Sequence, residues 1–187
     1  MALMAVADAL AAILQGATPL PEEIAALDAA HLRVLTRDLA SRRSQPPVAM
    51  SAMDGYAVLA ADVASVPARL RVIGEIAAGR PFERRLSTGE ALRIFTGGVV
   101  PDGADTVVIQ ENTERDGDTV VVKETATLGK NFLAAGIDFR EGDVLLRART
   151  RLSDLHLSLA AGMNYPELPV HRRPKVAVLA TGDELVP

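Results

Sequence analysis

A hydroxyl followed by two glycines, at Thr96, Gly97 and Gly98, is one stretch of this chain that could bind a ligand. Adjacent glycines let backbone N–H groups approach a bound anion closely, and the Thr96 hydroxyl adds a further hydrogen-bonding group. The sequence therefore allows an anion-binding nest at this turn. An ordinary glycine loop between strands is the alternative for these three residues taken alone.

Acidic side chains mark two other stretches. Residues 176–180 are continuously apolar, as in a strand covered on both faces of a parallel sheet, and Thr181-Gly182-Asp183-Glu184 follows them. Ligands of open α/β sheets bind beyond the carboxyl ends of the strands, which is where Glu184 would lie. Asp54 stands before Gly55, a pair typical of a hairpin turn. A solvated acidic turn and a plain hairpin are the alternatives for these two stretches.

The composition excludes several other kinds of site. The 187 residues include no cysteine, which excludes disulfides, thiolate catalysis and cysteine-based zinc sites. His31, His156 and His171 lie far apart without metal-ligand spacing, so we expect none to be catalytic. The net charge of −4 gives no basic excess for nucleic acid or anionic membranes. No signal peptide and no apolar run of about 20 residues is present, which predicts a cytoplasmic protein without a membrane partner.

Apolar spacing and turn residues predict the elements that must position these residues. The N-terminal part is predicted to form helices over residues 6–14 and 21–30 and a strand over 32–39. From about residue 50 to 146, short β-prone runs without helical patterns predict a compact all-β module. The predicted strands there cover residues 70–76, 91–95, 106–110, 119–123 and 144–146. A helix over 154–161, capped by Ser153, and strands over 168–170 and 175–180 complete the prediction.

Four motifs in order resemble those of the molybdopterin molybdenumtransferase family (MoeA and the E domain of gephyrin). They cover nearly the whole chain. The motifs are Ser51-Ala52-Met53-Asp54-Gly55-Tyr56-Ala57; Arg93-Ile94-Phe95-Thr96-Gly97-Gly98 with Pro101-Asp102-Gly103-Ala104-Asp105 and Glu111; Asn131 to Asp138; and Pro174-Lys175-Val176-Ala177-Val178-Leu179-Ala180-Thr181-Gly182-Asp183-Glu184.

The third motif departs from the family pattern. The family usually shows Asn-(Val/Ile)-Arg-Arg-x-Gly-Glu-Asp here, and Asn131, Gly136 and Asp138 match it. Arginines and a glutamate of that pattern are replaced by Leu133, Ala134 and Ile137. Arginine can bind an oxyanion through two parallel N–H hydrogen bonds, whereas leucine and alanine have no side-chain donor. The departures imply either that the anion is held differently or that this is a divergent paralogue.

The resemblance implies an enzyme of molybdenum cofactor biosynthesis. Family members insert molybdate into adenylated molybdopterin and release AMP, with Mg²⁺ required. By this resemblance the catalytic positions are Asp54, Thr96, Asp138 and Glu184; the three acids are also the metal positions, and Ser51, Gly97 and Gly98 bind substrate. Mg²⁺ is a hard cation that takes a few carboxylates together with phosphate oxygens and water, which suits these acids.

The resemblance also implies an α+β, multi-domain fold and a homodimer. An elongated helical/β stem would comprise residues 1–45 and 144–173, and a β-rich module, residues 46–143, would be inserted in it. Residues 174–187 would form the first strand of a truncated α/β molybdopterin-binding domain. The family's active cleft lies between subunits, so we expect the full-length protein to be the enzyme and this chain alone to be inactive.

Two alternatives remain open at this point. The gephyrin branch of the family shows that this architecture can serve as a scaffold or protein-binding module without catalysis. The uncharged third motif would fit that function. A free-standing β-module for small anions is the other alternative, but it leaves the apolar strand before Glu184 unexplained.

Overall fold

A computed structural model describes residues 4–77 and 79–178 of the chain. These residues form a mixed α+β fold made mostly of strands, as the sequence predicted. In chain order the elements are α1 (Val6–Leu14), β1 (Glu22–Ala26), β2 (Leu39–Ala40), β3 (Met50–Ser51), β4 (Gly55–Val58), β5 (Ala68–Ile76), β6 (Glu90–Ile94), β7 (Thr106–Ile109), β8 (Thr113–Asp116), β9 (Thr119–Val122), β10 (Phe132–Leu133), β11 (Val144–Leu146), α2 (Asp154–Gly162) and β12 (Glu167–His171).

The chain divides into two compact units. One is the continuous segment Ser41–Asp143, and the other combines residues up to Ala40 with residues from Val144 onward. Within the described residues, no helix has the length and apolar character needed to cross a membrane.

A six-stranded sheet forms the body of the middle unit, in the order β7-β4-β6-β5-β9-β8. All neighbours pair antiparallel except β5 and β6, which run parallel. Strand β4 is buried along its whole length, with Tyr56 and Val58 in one aliphatic cluster and Ala57 in another. Apolar residues therefore cover both faces of the sheet at β4, and the predicted strands at β5, β6, β7 and β9 are confirmed.

Gly55 begins β4 and lies between two neighbouring strands. Its register partners are Ile94 on β6 and Ile109 on β7. A Cβ atom at this position would lie 1.9 Å from the carbonyl oxygen of Val108. The hairpin interpretation of Asp54-Gly55 is wrong, because β3 pairs with β10 and not with β4. The close approach of β7 requires the glycine.

The unit made from the chain's two ends contains the antiparallel pairs β1–β12 and β2–β11. The predicted helix over 21–30 is wrong: β1 occupies Glu22–Ala26 and a 3-10 turn follows at Leu27–Ala29. Pairing with β12 overrides the local helical pattern. Glu22 and Glu23 accept hydrogen bonds from Thr36 and Arg33, so their carboxylates do not serve a helix N-terminus.

The predicted strand over 32–39 is also wrong as a continuous element. Leu32 has a left-handed backbone with φ of 61°, which a strand cannot accommodate. Val34 and Leu35 form only isolated bridges, and regular pairing is confined to β2. Turn geometry at residue 32 therefore breaks the alternation seen in the sequence.

Helix α2 follows the predicted bounds closely. The backbone N–H of Ser153 donates to Nδ1 of His156 at 3.1 Å, so His156 caps the helix start. Strand β12 is likewise confirmed around residues 168–170. Of the predicted strand over 175–180, residues 175–178 are not a strand, and the remainder lies outside the described residues together with Glu184.

Candidate functional site

Three of the sequence motifs meet in the middle unit. Strands β4 and β6 are antiparallel neighbours with Gly55 opposite Ile94, so the residues just before β4 lie beside those just after β6. This places Asp54 next to Thr96, although 42 positions separate them in sequence. The third motif joins them because β10 pairs with β3, with Phe132 opposite Ser51.

The carboxylate of Asp54 is fixed by Thr96. Its Oδ1 accepts hydrogen bonds from the Thr96 backbone N–H at 2.8 Å and from the Thr96 hydroxyl at 2.7 Å. These two bonds, with a smaller contribution from the Arg93 charge, hold the pKa of Asp54 below its ordinary value. Asp54 is therefore a carboxylate at neutral pH. No donor to its Oδ2 is found in the part of the chain that the structure describes.

The N–H groups of the Thr-Gly-Gly turn are used within the protein. The Thr96 N–H goes to Asp54, the Gly97 N–H to the Ser51 carbonyl at 2.9 Å, and the Gly98 N–H to the Phe95 carbonyl at 2.8 Å. Gly97 has a φ of 81°, so the turn does require a glycine there. The anion-binding nest that the sequence allowed does not form in this conformation, because the N–H groups of Thr96, Gly97 and Gly98 are all bonded within the protein, as in an ordinary glycine loop.

Ser51 stabilises the turn that carries Asp54. It is 1% exposed, and its hydroxyl donates to the Met53 carbonyl at 2.6 Å. The Met53 backbone N–H donates in turn to the hydroxyl oxygen of Ser51 at 3.3 Å. The structure thus gives Ser51 a local structural contact. Its assignment to substrate binding, with Gly97 and Gly98, stays a prediction.

The third motif holds its shape through the residues that match the family. Asn131 has φ of 61°, its side-chain amide donates to the Val107 carbonyl at 2.9 Å, and its own carbonyl accepts the Ala52 N–H. Gly136 has φ of 69° and is buried, with its N–H bonded to Pro46. The motif therefore keeps its turns despite its departures.

The substituted and acidic positions of this motif face solvent. Leu133 is 41% exposed and Ile137 is 58% exposed, so neither is a core residue. Asp138 is also exposed and its N–H donates to the Gln45 carbonyl. The structure brings Thr96 to Asp54, but it gives no contact between the Asp54 and Asp138 side chains in the described ranges.

The metal positions Asp54, Asp138 and Glu184 stay a prediction. Residues 4–77 and 79–178 contain no cluster of three His, Cys, Asp or Glu side chains that could hold a metal ion. Glu184 lies outside these ranges, so the three acids cannot be compared as a set. The Asp54 carboxylate fits Mg²⁺ as a ligand, since it is charged and its Oδ2 has no donor among the described residues.

Arg93 and Gln110 also belong to this site, although the sequence analysis gave neither a role. Arg93 donates to the Gly55 carbonyl at 3.1 Å and to Oε1 of Gln110 at 2.7 Å. The Gln110 N–H donates to the Asp54 carbonyl at 3.0 Å. Both residues line a cleft of about 450 Å³ with Tyr56. The available sequence signal was the spacing of Arg93 and Phe95, which places both on one face of a strand.

Comparisons with known proteins agree with this arrangement of motifs. The MoeA N-terminal region (domain I and II) matches residues 4–163. A molybdopterin molybdenumtransferase of Nostoc sp. PCC 7120 is 40% identical over 168 residues, which cover 88% of this chain and 38% of that protein. The protein of the same name from Haemophilus influenzae is 36% identical over 169 residues, covering 90% of this chain and 42% of its own length.

Solved structures show the same fold. A molybdopterin biosynthesis MoeA protein from Pyrococcus horikoshii superposes with a TM-score of 0.86 at 32% identity, over 96% of this chain and 47% of its own. The chain thus spans about two fifths of the length of the curated relatives described above. The match over most of the chain shows that it belongs to the MoeA family, of which it carries the N-terminal region.

Proposed function

We propose that this chain supplies the N-terminal part of an enzyme that inserts molybdate into adenylated molybdopterin and releases AMP. The observation that carries the proposal is the pairing of Asp54 with Thr96, which joins two family motifs in one site. The names of the relatives support a role in molybdenum cofactor biosynthesis, and the specific reaction is the one that the motif resemblance implies. The cytoplasmic location expected from the sequence is part of the same proposal.

In this proposal Asp54 provides a fixed anionic oxygen. Thr96 occupies Oδ1 and so orients the carboxylate, which leaves Oδ2 available to a cation. Mg²⁺ commonly binds through one or two carboxylates plus substrate phosphate oxygens and water. When bound, the ion would neutralise charge on the phosphate oxygens of the adenylated substrate. Asp138 and Glu184 are proposed as further acidic ligands.

The test uses a chimera, because the chain spans only 38% of the Nostoc relative. Residues 4–163 would replace the matching region of that enzyme, and cofactor formation would be measured from adenylated molybdopterin and molybdate. We expect activity from the chimera and none from the 187-residue chain alone. A chimera that has the same melting temperature as the parent enzyme, and is therefore folded, but that forms no cofactor would contradict the proposal.

A protein-binding module of the same family without catalysis is the second candidate. One observation favours it: Leu133 and Ile137 place exposed apolar surface where the family has charged residues. A folded but inactive chimera that regains activity when both positions carry the family residues would favour this second function.

We also propose that the protein is a homodimer. Helix α1 has no buried residue, and the apolar side chains of Val6, Leu10 and Ile13 are exposed. A second copy of the chain could cover this face, because the expected family dimer needs an apolar contact surface. Sedimentation of the chain and of an Ile13→Glu variant would test this. A monomeric parent chain would count against a dimer formed by this segment alone.

A further inference from the structure

The Arg93 guanidinium is held between two aromatic rings. Arg93 lies opposite Tyr56 in the β4–β6 register, so both side chains stand on one face of the sheet. The guanidinium carbon is 5.3 Å from the centre of the Tyr56 ring and 4.7 Å from the centre of the Phe95 ring. Stacking against both rings restricts the rotamers of the arginine and fixes the plane of its fork.

The two terminal nitrogens of that fork reach different parts of the Asp54 turn. Nη1 donates to the Gly55 carbonyl at 3.1 Å, directly after Asp54 in sequence. Nη2 donates to Gln110 Oε1 at 2.7 Å, and the Gln110 N–H donates to the Asp54 carbonyl at 3.0 Å. Arg93 thus fixes the backbone on the carboxyl side of Asp54 both directly and through Gln110.

Arg93 also contacts the segment that carries Thr96. Phe95, against which Arg93 stacks, precedes Thr96 by one residue. The backbone segments that carry Asp54 and Thr96 are therefore both held against one guanidinium. A change of its position would alter the distance between the carboxylate and its two donors.

We propose that Arg93 is a positioning residue that fixes the Asp54 carboxylate against Thr96. Among the described residues, its hydrogen bonds go to Gly55 and Gln110 and not to that carboxylate. This inference rests on the function proposed above, in which the Asp54 carboxylate binds a cation. The planar fork is required as well as the charge, because it serves two acceptors and stacks on two rings. Lysine has a single ammonium group and cannot replace that geometry.

Arg93→Lys in the full chain tests the requirement for the fork. The readout is hydrogen exchange of the Thr96 amide, whose bond to Asp54 reports the relative position of the two segments. We expect exchange at Thr96 to accelerate by about tenfold while the melting temperature changes little. Arg69→Lys is the matched control, because Arg69 is an exposed strand arginine of the same sheet without a contact to this site. Unchanged exchange in a folded Arg93→Lys variant would overturn the proposal.

Gln110→Ala provides a second variant in case Arg93→Lys unfolds. Gln110 is exposed, and alanine removes the acceptor of Nη2 while keeping the backbone N–H bond to Asp54. We expect a smaller acceleration of Thr96 exchange in the same direction. No acceleration would mean that the bond from Nη2 to Gln110 does not help to position Asp54, which would overturn that half of the proposal.

Steady-state kinetics of the full-length protein test whether this positioning matters for the reaction. We expect Arg93→Lys to lower kcat by about 10- to 100-fold, with KM for adenylated molybdopterin changed less than kcat. A purely structural arginine would lower the melting temperature and leave kcat of the folded fraction unchanged, which would overturn the inference. If the parent protein forms no cofactor, the proposed function fails, while the exchange measurement still decides the positioning by Arg93.

Discussion

Thr96 donates both its backbone N–H and its hydroxyl to a single oxygen of Asp54, at 2.8 and 2.7 Å. Two donors on one oxygen fix the direction of the carboxylate and favour its charged form. They also leave the second oxygen without a donor in the described part of the chain. The two carboxylate oxygens of Asp54 therefore have different roles: Oδ1 holds the turn through Thr96, and Oδ2 is available to a ligand.

Asp54→Asn tests the second oxygen. The amide oxygen of asparagine can still accept both Thr96 bonds, so we expect the melting temperature to change little. The charge is lost, however, and we expect turnover of the full-length protein to fall by about 100-fold or more if Asp54 binds the cation. Thermal unfolding and cofactor formation by the same preparation would check both parts.

Asp62→Asn is the matched control for this substitution. Asp62 lies in the same unit and accepts the Gly89 N–H at 2.8 Å, which resembles the contact that Asp54 makes. We expect its turnover to equal that of the parent. Parental turnover in Asp54→Asn as well would mean that Asp54 serves only the turn.

The pKa of Asp54 should depend on Thr96. The two Thr96 bonds lower this pKa below the ordinary value of 3.8, so their contribution to stability is present above that value. It is lost as the pH falls through the lowered folded pKa. Thr96→Val removes the hydroxyl and keeps the N–H, so we expect the Asp54 pKa to rise only part of the way back.

Carbon-13 titration of the Asp54 carboxyl would measure this change directly. The melting temperature supplies an independent measurement: Thr96→Val should lower it more at neutral pH than in acid, where the parent has also lost the bonds. If the Asp54 pKa of the variant equals that of the parent, the hydroxyl contributes nothing, and the lowered pKa comes from the Thr96 N–H, which the variant keeps, and from the Arg93 charge.

Gly55→Ala should be strongly destabilising. An added Cβ would lie 1.9 Å from the backbone carbonyl oxygen of Val108. The Gly55 backbone cannot move away readily, because it pairs with β6 on one side and β7 on the other. We expect the free energy of unfolding to fall by about 3 kcal/mol or more. Gly16→Ala is the control, because nothing lies within 4 Å of its Cβ, and its effect should stay within about 0.5 kcal/mol. Urea denaturation of both variants would check the comparison.

The buried ion pairs of Glu90 should matter more than exposed ones. Glu90, whose side chain is 10% exposed, accepts hydrogen bonds from Arg84, Arg71 and the Ser87 N–H. The Arg84 bond is the main cause that lowers the Glu90 pKa, so the stabilisation is present above the ordinary value of 4.5 and is lost on acidification. We expect Glu90→Gln to lower the melting temperature more than Glu114→Gln.

Glu114 is the comparison because its bond to Lys123 is exposed, with the Glu114 side chain 67% accessible. Exposed pairs of this kind contribute little. Equal melting temperatures of the two variants at neutral pH would show that burial adds nothing to the Glu90 pairs.

Strands β5, β6, β7 and β9 of the middle unit were predictable, because runs of β-branched and aliphatic residues between glycine turns favour strands. Strands β3, β4, β8 and β10 were not predicted. Helical spacing located α1, and the cap at Ser153 located α2. The failures came from long-range pairing. The pattern after Pro21 is helical by local preference, but β12, about 145 positions later, makes it a strand. No local signal in residues 22–26 contains that information.

The same limit applies to the candidate site. Motif resemblance located Asp54 and Thr96, but it could not show that Thr96 donates to Asp54 and so has no free N–H. Arg93 was quoted only as part of a motif. Its position between Tyr56 and Phe95 depends on the β4–β6 register, which the sequence does not determine.

The substituted third motif permits a gain-of-binding prediction. Leu133 and Ile137 are both partly exposed, so Leu133→Arg with Ile137→Glu should not disturb the core. Both charged partners of the family pattern are absent together, which leaves no unpaired charge behind. We expect the double variant to bind molybdate or adenylated molybdopterin more tightly by about 1–3 kcal/mol, which corresponds to roughly 5- to 150-fold.

Titration calorimetry of the gene product, parent and double variant, would measure both affinities. Leu128→Arg is the control, since Leu128 is 74% exposed and an arginine there adds a cation outside the motif. The double variant adds one positive and one negative charge, so its net charge is that of the parent, whereas Leu128→Arg adds one net positive charge. General attraction of anions would therefore improve binding in Leu128→Arg and not in the double variant. If the double variant binds no better than the parent, the missing pair does not hold the anion, and the divergence of this motif says nothing about activity.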